Sequence, residues 1–423
     1  MEHTQKIPSY EVKDISLADQ GFKNIEWAEM EMGALMHIKS EFSQQRPLSG
    51  LKIGMALHVT KETAVLVRTL IAGGAEVAIT GCNPLSTQDD IAAALAKEGI
   101  KVWAYKGETK EDYYKYLNYV IGFKPNITID DGCDLVNEIH LKHPQLIPTI
   151  IGGCEETTTG IIRLNAMVKD KALKYPVIAV NDNKTKHLLD NYYGTAQSTI
   201  DGIIRATNVL LAGKNVIVVG YGSCGKGVAK SASGQGATVI VTEIDNFCAL
   251  QARMDGFKVM KMNDAAKIGD IFVTVTGNKH VISKEHMKTM KSGAMMCNSG
   301  HFDNEIDVQG LKLMASSTRK IRPFMEEFLV NGKKLFLLGE GRLINLAAAE
   351  GHPSAVMSTS FCGQALACKY LADNRNNLQP CVIELPPEID DRIASLQLKA
   401  MNIEIDQLTP EQIKYLNSWQ EGT

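Results

Sequence analysis

The chain has 423 residues, of which 44% are hydrophobic and 22% are charged. This length is about three times that of a usual domain and predicts two or more compact units, while the composition excludes disordered, collagen-like and coiled-coil classes. A formal net charge of -3 provides no basic surface field, so we expect no nucleic-acid partner.

Neither a membrane span nor a secretion signal is expected. No apolar run approaches the roughly 18 residues that cross a bilayer, and residues 1–17 contain no apolar stretch behind a basic start. The nine cysteines are scattered without C-x-x-C or zinc-finger spacing, so we expect small buried side chains and no metal site. Unpaired thiols of this kind predict a cytoplasmic protein, in a reducing compartment.

Two series of short β-rich runs alternate with helical patterns, which is typical of βαβ units and parallel sheets. The first series comprises residues 52–59, 76–80, 102–105, 126–129 and 148–151. The second comprises residues 215–219, 238–241, 271–275, 294–297 and 334–338. The fold class predicted is α/β, with two doubly wound parallel-sheet (Rossmann-like) domains.

The chain is expected to cross between the two sheets twice, which allows a hinge. Residues 185–211 show helical spacing and place the first crossing near 185–195. A Gly-His-Pro turn at 351–353 precedes a helical stretch at 354–373 and marks the second crossing. We predict a discontinuous domain at 1–185 and 353–384, a second domain at 193–345, and a small helical oligomerisation tail at 385–423.

A glycine-rich loop follows the first strand of the second series. Residues 216–227 read VIVVGYGSCGKG, an apolar strand that runs into G-x-G-x-x-G and then a helical pattern. Gly220 permits a tight turn, Gly222 a close approach of backbone to a pyrophosphate, and Gly225 the packing of helix on strand. The next strand ends in Glu243, whose carboxylate accepts hydrogen bonds from ribose hydroxyls and repels a 2′-phosphate. The pattern predicts NAD, rather than NADP, in the second domain and leaves the substrate to the first.

Polar side chains follow strands of the first series, at the end where open α/β sheets bind their ligands. His58, Thr60 and Glu62 follow one strand, where an ordinary helix cap at Thr60 is the alternative. Asp130 and Asp131 close another, where a solvated turn is the alternative.

Further polar residues lie near the two crossings. Glu156 precedes threonines 157–159, of which capping explains only one. Lys186 and Asp190 share a helix face by their i, i+4 spacing, where a surface salt bridge is the alternative. Residues 298–303, NSGHFD, end a strand of the second series, and Asn345 and His352 flank the second crossing.

Taken jointly, these segments resemble the S-adenosyl-L-homocysteine hydrolase family over essentially the whole chain. The resemblance rests on LHVTKETA, NPLSTQDD, DDGCDL, EETTTG, VNDNKTK, DNYYG, GYGSCGKG, CNSGHFD and RLINLAAAEGHP, which occur in the family's order and spacing. It implies an NAD-containing homotetramer that reversibly hydrolyses S-adenosyl-L-homocysteine to adenosine and L-homocysteine. In such enzymes the ribose 3′-hydroxyl is oxidised, the C4′ proton is removed, homocysteine is eliminated, water adds at C5′, and C3′ is reduced again.

The resemblance implies that four residues act on the ribose. Lys186 would accept the 3′-hydroxyl proton, and burial near the carboxylates is expected to let it lose its own proton more readily than a free lysine. Asp190 and Glu156 would hold the ribose hydroxyls. Asp131 would take the C4′ proton.

The remaining substrate roles are likewise implied by the resemblance. His58 and His301 would serve the leaving thiolate and the attacking water, in an order that the sequence leaves open. Thr60 and Glu62 would read the purine edge, and His352 would close over the purine.

The cofactor contacts implied by the resemblance are Thr157, Thr158, Thr159, Asn191, Gly220, Gly222, Ser223, Cys224, Gly225, Lys226, Gly227, Glu243, Thr276, Ser299, Gly300, His301 and Asn345. Three features depart from the family pattern. Cys248 stands where many members have Asn or Arg, and Glu350, which stands where animal members have Met, is expected close enough to the purine pocket to affect selectivity. The chain also lacks the C-terminal Lys and Tyr that reach the NAD site of a neighbouring protomer, so it resembles short-tailed archaeal and thermophile-type enzymes.

Three alternatives stay open at this point. Some short-tailed relatives prefer S-inosyl-L-homocysteine, and those have Glu and Lys where this chain has Thr60 and Glu62. The Glu62 carboxylate would accept from the amine of adenine and repel O6 of hypoxanthine, which favours adenine. The second alternative is a two-domain dehydrogenase that releases NADH. The third is an inactive NAD-binding regulator, which the presence of Lys186, Asp131 and both histidines opposes.

Overall fold

Residues 7–420 are described by a computed structural model, in which two eight-stranded sheets are flanked by helices. The strands of this range are β1 Tyr10–Val12, β2 Lys52–Ala56, β3 Glu76–Thr80, β4 Lys101–Ala104, β5 Ile127–Asp130, β6 Gly152–Glu155, β7 Val177–Ala179, β8 Asn215–Val219, β9 Thr238–Thr242, β10 Lys258–Val259, β11 Ile271–Thr274, β12 Met295–Asn298, β13 Ser317–Arg322, β14 Met325–Val330, β15 Lys333–Leu338 and β16 Val382–Ile383.

The α-helices of the same range are α1 Ala18–Glu31, α2 Gly33–Gln45, α3 Lys61–Ala72, α4 Asp89–Lys97, α5 Lys110–Gly122, α6 Asp134–Lys142, α7 Thr158–Lys169, α8 Thr195–Thr207, α9 Ser223–Gly234, α10 Asn246–Met254, α11 Met262–Ile268, α12 Lys284–Thr289, α13 Val308–Met314, α14 Ile344–Ala347, α15 Ser354–Asp373, α16 Pro387–Ala400 and α17 Pro410–Leu416. A π-helix at Thr185–Gly194 runs directly into α8, and short 3₁₀ turns lie at Ile15–Leu17, Pro144–Thr149, Val180–Asp182 and Gly339–Gly341.

The first sheet is parallel throughout, in the order β1-β4-β3-β2-β5-β6-β7-β16. The chain winds outward in one direction from β2 and in the other from β5. Loops that leave these two neighbouring strands therefore diverge, and such a reversal opens a crevice at the carboxyl ends of the strands.

The second sheet has the order β10-β9-β8-β11-β12-β15-β14-β13. Its winding reverses between β8 and β11, which places a second crevice there. Parallel pairing covers most of this sheet, but β13 and β14 form an antiparallel hairpin beside β15 at one edge. The fold is thus the predicted pair of doubly wound sheets with an antiparallel edge added.

Most predicted strands lie within a residue or two of their expected bounds. Buried β-branched and aliphatic runs such as Asn215–Val219 are typical of strands covered on both faces, and this strand is confirmed to the residue. The strand predicted at 148–151 is wrong, because Pro144–Thr149 forms a 3₁₀ helix and the strand follows at Gly152–Glu155.

Two connections join the sheets. After β7 the π-helix leads into α8, which packs on α9 and α14 of the second unit. After α14 the chain returns through α15, which packs on α2, α3 and β6 of the first unit. Helix α16 packs on α2 and α15 of this same chain, whereas residues 401–416 are exposed. The oligomerisation role of 385–423 stays a prediction.

All nine cysteines are free thiols, as expected, although Cys224, Cys248 and Cys381 are only partly buried. Within residues 7–420 no helix combines the length and the apolar character that crossing a membrane requires.

Candidate active site

The carboxyl ends of both sheets border one cleft of about 790 Å³. The reversal point of the first sheet contributes His58 and Asp131, and that of the second contributes Gly220 and Thr276. Of the predicted site residues, those that line the cleft are His58, Thr60, Glu62, Asp131, Glu156, Thr157, Thr158, Thr159, Lys186, Asp190, Asn191, Gly220, Gly222, Ser223, Cys224, Glu243, Thr276, Ser299, Gly300, His301, Asn345 and His352. The structure therefore brings together side chains that are up to about 290 residues apart in sequence.

Asp131 lies between two histidines that also line this cleft. Its Oδ2 is 3.3 Å from His58 Nε2, and its Oδ1 is 3.5 Å from His301 Nδ1. His301 reaches Asp131 from the second sheet because Gly132 has no side chain, and a Cβ there would collide with the imidazole. The Asp131 side chain is 8% exposed, so the solvated turn considered for this segment is wrong.

His58 is held as a neutral imidazole. Burial lowers the pKa of His58 to about 4, against the opposing effect of Asp131. Its Nδ1 lies 2.8 Å from Ser86 Oγ and 3.2 Å from Cys82 Sγ. The possible metal-ligand atoms of His58, Cys82 and Asp131 lie within 4.8 Å of one another, a spacing that suits a metal ion. The hydrogen bonds of Cys82 to His58 and Asp131 already explain this close spacing.

Lys186 is buried, and its Nζ lies 2.9 Å from Asp190 Oδ2 and 3.9 Å from Glu156 Oε1. It also donates to Asn191 Oδ1 at 2.7 Å. The salt bridge of Lys186 with Asp190 is thus buried, and the alternative of a surface salt bridge is wrong. Burial by itself lowers the pKa of Lys186, but the charges of Asp190 and Glu156 outweigh it and raise that pKa. The expectation that this lysine loses its proton more easily than a free lysine is wrong for the arrangement seen here.

The two carboxylates beside Lys186 are in different electrostatic states. Burial raises the pKa of Glu156 to about 7, although Lys186 opposes this. Glu156 accepts hydrogen bonds from Ser360 Oγ and, at 2.5 Å, from Gln364 Nε2, both on α15. Burial also acts to raise the pKa of Asp190, but His352 and Lys186 reverse this and lower it. The ion pair proper is Lys186 with Asp190.

His352 connects this ion pair to the second crossing. Its Nδ1 bonds to Asp190 Oδ1, and its Nε2 lies 3.3 Å from Thr195 Oγ1 at the start of α8. Gly194 leaves room for the imidazole, since a Cβ there would come within 2.9 Å of the ring. The predicted closing of His352 over a purine stays a prediction.

Thr60 and Glu62 border another part of the cleft. Thr60 caps α3 by accepting from the Thr63 N–H, as the alternative of an ordinary helix cap predicts. Thr60 also lines the cleft. Glu62 is buried, and its Oε1 accepts from Ser354 Oγ at 2.6 Å. No hydrogen bond within residues 7–420 reaches its Oε2, which is thus available to a ligand donor.

The glycine loop after β8 matches the backbone that a dinucleotide requires. Gly220 has φ 103°, which suits glycine, and a Cβ on Gly222 would meet no atom of residues 7–420 within 4 Å. Backbone N–H groups at the start of α9 are directed at the same place. Gly225 and Gly227 instead let α9 pack, because a Cβ would collide with Gly220 and Tyr192 respectively.

Two further observations fit NAD in this cleft. Glu243, at the end of β9, is oriented by the N–H of Tyr221 at 2.6 Å and that of Ile244 at 2.7 Å. Asn345 is buried, and its Oδ1 finds no hydrogen-bond partner among residues 7–420. An aligned carboxylate and an unpartnered amide oxygen in the cleft that contains the glycine loop suit the hydroxyl and amide donors of a dinucleotide.

The remaining predicted cofactor contacts line the same cleft, with three exceptions. Gly225, Lys226 and Gly227 do not line it. Thr158 donates to Asn181, which also binds Asn191. Thr276 bonds through N–H and hydroxyl to Glu305. Ser299 Oγ lies 2.6 Å from Thr199 Oγ1 of α8. Cofactor contacts by individual side chains stay predictions.

Several functional contacts escaped the sequence reasoning. His187 Nε2 lies 3.0 Å from Ser223 Oγ and so connects the π-helix to the glycine loop. Ser354, Ser360 and Gln364 orient the cleft carboxylates from α15. A signal was available for the last two residues, since Ser360 and Gln364 stand at i, i+4 and so share one face of a mainly apolar helix.

Comparison with known proteins identifies the family. The model of "S-adenosyl-L-homocysteine hydrolase" matches residues 9–144, and that of "S-adenosyl-L-homocysteine hydrolase, NAD binding domain" matches residues 191–351. Similarity in fold alone extends to a dipicolinate synthase chain from Bacillus halodurans, with a TM-score of 0.50, 15% identity, and coverage of 77% of this chain and 99% of that one.

Curated relatives match almost end to end. The S-inosyl-L-homocysteine hydrolase of Methanocaldococcus jannaschii is 58% identical over 98% of this chain and 100% of its own length. The adenosylhomocysteinases of Sulfurisphaera tokodaii and Aquifex aeolicus are each 57% identical, again over 98% of this chain and 100% of theirs. The chain therefore belongs to the S-adenosyl-L-homocysteine hydrolase family, as a hydrolase with that family's NAD-binding domain.

Proposed function

We propose that this protein catalyses the reversible hydrolysis of S-adenosyl-L-homocysteine to adenosine and L-homocysteine. The observation that carries the proposal is the convergence of Lys186 with Asp190, and of Asp131 with two histidines, on one cleft that also contains a dinucleotide-binding loop. Hydrolysis of a thioether through a transient ketone needs both proton-transfer groups and a redox cofactor in one place.

The residues around Lys186 handle the 3′-hydroxyl. NAD held at the glycine loop would supply reversible hydride transfer at C3′. Ribose hydroxyls that bind Asp190 and Glu156 compete with the Lys186 ammonium for these carboxylates. The carboxylates then stabilise the buried ammonium less, which lowers the pKa of Lys186 and favours loss of its proton. Asp190 lies closer to Lys186, but its pKa is lowered, whereas burial raises the pKa of Glu156 to about 7; Glu156, 3.9 Å away, is therefore the carboxylate assigned to take that proton. Neutral Lys186 then accepts the proton of the 3′-hydroxyl.

Asp131 and its histidines handle the remaining proton transfers. A 3′-ketone acidifies the C4′ hydrogen, and Asp131 is the carboxylate assigned to remove and later restore it. Burial lowers the pKa of His58 to about 4, so its imidazole is free to accept a proton, and we assign it to the attacking water. His301, on the opposite side of Asp131, then attends the leaving thiolate.

The purine proposed is adenine. Glu62 presents Oε2 as a hydrogen-bond acceptor, which suits the exocyclic amine of adenine, whereas O6 of hypoxanthine is itself an acceptor. The S-inosyl alternative stays open because one relative above carries that name. We further propose a cytoplasmic homotetramer.

The domains proposed are a substrate-binding domain at 1–185 and 353–384 and an NAD-binding domain at 193–345. Residues 185–195 and 345–355 would act as hinges, because two rigid sheets can close over one ligand only by bending both connections. We expect X-ray scattering curves with and without a saturating adenosine analogue to differ, with a smaller radius of gyration for the complex. Superimposable curves would contradict this hinge placement.

Replacing Glu243 is expected to weaken retention of NAD. Glu243→Ala removes a charged acceptor from a ribose hydroxyl pair, so the Kd for NAD should rise roughly tenfold or more. The measurement is the NAD content of purified protein together with titration of the apoprotein. Glu285→Ala, on the exposed first turn of α12, is the matched control and should retain the parent affinity. Equal retention by both variants would remove Glu243 from the site.

The activity is tested most simply in the direction of synthesis. Purified protein without added NAD is incubated with homocysteine and either adenosine or inosine, and thioether formation is followed by chromatography. We expect S-adenosyl-L-homocysteine from the adenosine mixture at the higher rate. Faster product formation from inosine would favour the S-inosyl alternative, and the lack of product from both would reject the proposal.

A further inference from the structure

Glu350, the residue before the Gly-His-Pro turn, contacts the start of α3, helix α8 and the residue before α4. Its Oε2 lies 3.0 Å from Lys61 Nζ at the start of α3, and its Oε1 lies 3.5 Å from Arg205 on α8. Its backbone carbonyl accepts from Gln88 Nε2 at 3.2 Å, beside α4. The carboxylate thus contacts the first unit and the second unit at the point where the chain crosses between them.

Lys61 is the more constrained partner of this ion pair. Its side chain is 12% exposed, and its backbone N–H donates to Gln88 Oε1 at 3.0 Å. Burial alone lowers the pKa of Lys61, but Glu62 and Glu350 raise it above its ordinary value, so the side chain stays an ammonium. Among the described residues that line the cleft, Thr60 and Glu62 are present and Lys61 is not. The ammonium is therefore held outside the cleft.

The position of Lys61 determines what the purine meets at Glu62. The Lys61 Nζ lies 3.4 Å from Glu62 Oε1, the oxygen that also accepts from Ser354, whereas Oε2 accepts no hydrogen bond from residues 7–420. A ligand atom beside Glu62 Oε2 therefore meets an acceptor from this side chain. An ammonium that swung past Glu62 into the cleft would offer a donor to a purine carbonyl and would remove that selectivity.

We propose that Glu350 is a specificity-determining positioning residue, which holds the Lys61 ammonium outside the cleft so that Glu62 presents only an acceptor to the purine edge. The inference rests on the proposed function and adds a residue that does not touch the substrate. The preference for a 6-amino purine over a 6-oxo purine then depends on the ion pair of Glu350, at the second crossing, with Lys61 on α3. Arg205 is a more distant and more exposed partner of Glu350.

The test is the ratio of kcat/KM for S-adenosyl-L-homocysteine to kcat/KM for S-inosyl-L-homocysteine. Glu350→Gln frees the ammonium, and we expect the ratio to fall by about 10-fold, chiefly through a gain on the inosyl thioether. Glu350→Asp, which keeps the charge, should retain most of the parent ratio. The double variant Glu350→Gln with Lys61→Met removes the freed donor and should restore the preference for the adenosyl thioether.

A matched control separates this effect from the loss of any surface charge. Glu98→Gln breaks a comparable ion pair with Arg68 on the same domain, away from the cleft, and should leave the ratio unchanged. An unchanged ratio in Glu350→Gln overturns the inference while the proposed function stands. A fall that the double variant does not reverse also overturns it, because Lys61 would then not be the cause. Failure of the parent enzyme to turn over either thioether rejects the proposed function itself.

Discussion

Asp131→Asn is expected to slow homocysteine release by a factor on the order of 100 or more, while bound NAD is still reduced when substrate is added. The amide keeps the size of the side chain but removes the base assigned to the C4′ proton. Oxidation at C3′ precedes that step and depends on Lys186, so the variant should stop with reduced cofactor on the enzyme. Single-turnover absorbance of reduced nicotinamide, followed together with thiol release, measures both steps.

Asp134→Asn is the matched control for this variant. Asp134 lies three residues away on the first turn of α6, in a partly exposed ion pair with Arg163, and its replacement should leave both steps near the parent rates. Release of homocysteine by Asp131→Asn at the parent rate would contradict the role of Asp131. Failure to reduce bound NAD in that variant would do the same and would make a histidine the better candidate for the C4′ base.

Lys186→Met is expected to block the cycle before any reduction of bound NAD, with turnover lowered on the order of 10³-fold. Without the amine the 3′-hydroxyl has no group to take its proton. The variant also leaves Asp190 and Glu156 buried without their cation, at a cost of about 3–5 kcal/mol in unfolding free energy. Its thermal unfolding and NAD content are therefore measured together with its activity.

The control for Lys186→Met is Lys184→Met, at an exposed position two residues earlier on the chain. Normal reduction of bound NAD is expected there. Lys186→Gln, a second replacement that retains hydrogen bonding, should behave like Lys186→Met in the reduction assay if it folds. Appearance of reduced nicotinamide in either folded Lys186 variant would assign the 3′-hydroxyl proton to another group. The Asp131 and Lys186 variants must therefore differ in which step they block.

The strands that sequence patterns missed depend on close packing or on distant partners. The strand β6 begins with Gly152 and Gly153, where close packing requires glycine, since a Cβ on them would come within 2.7 Å of Leu371 and 2.6 Å of Thr128 respectively. Glycines are typical of turns, so the strand was predicted at the apolar residues 148–151 that precede them. The exposed, charged Ser317–Arg322 is a strand only because it pairs with Met325–Val330.

The candidate site was largely predictable, because the chemistry-bearing residues directly follow strands whose ends meet in an α/β sheet. His58, Asp131 and Glu156 were found in this way. The protonation of Lys186 was not predictable, since burial lowers its pKa while carboxylates at 2.9 and 3.9 Å raise it, and only distances decide between these effects. The link from Glu350 to Lys61 was equally hidden, because these residues are 289 positions apart.

If this hydrolase uses NAD without net redox change, the bound cofactor must return to its oxidised form in every cycle. Purified protein with its retained NAD, and none added, is mixed with excess S-adenosyl-L-homocysteine while homocysteine, adenosine and reduced nicotinamide are counted. We expect many equivalents of homocysteine and adenosine per bound NAD, with reduced cofactor never exceeding the enzyme concentration. Turnover that stops at one equivalent, with stoichiometric release of NADH and an oxidised nucleoside, would contradict the claim and identify a net dehydrogenase.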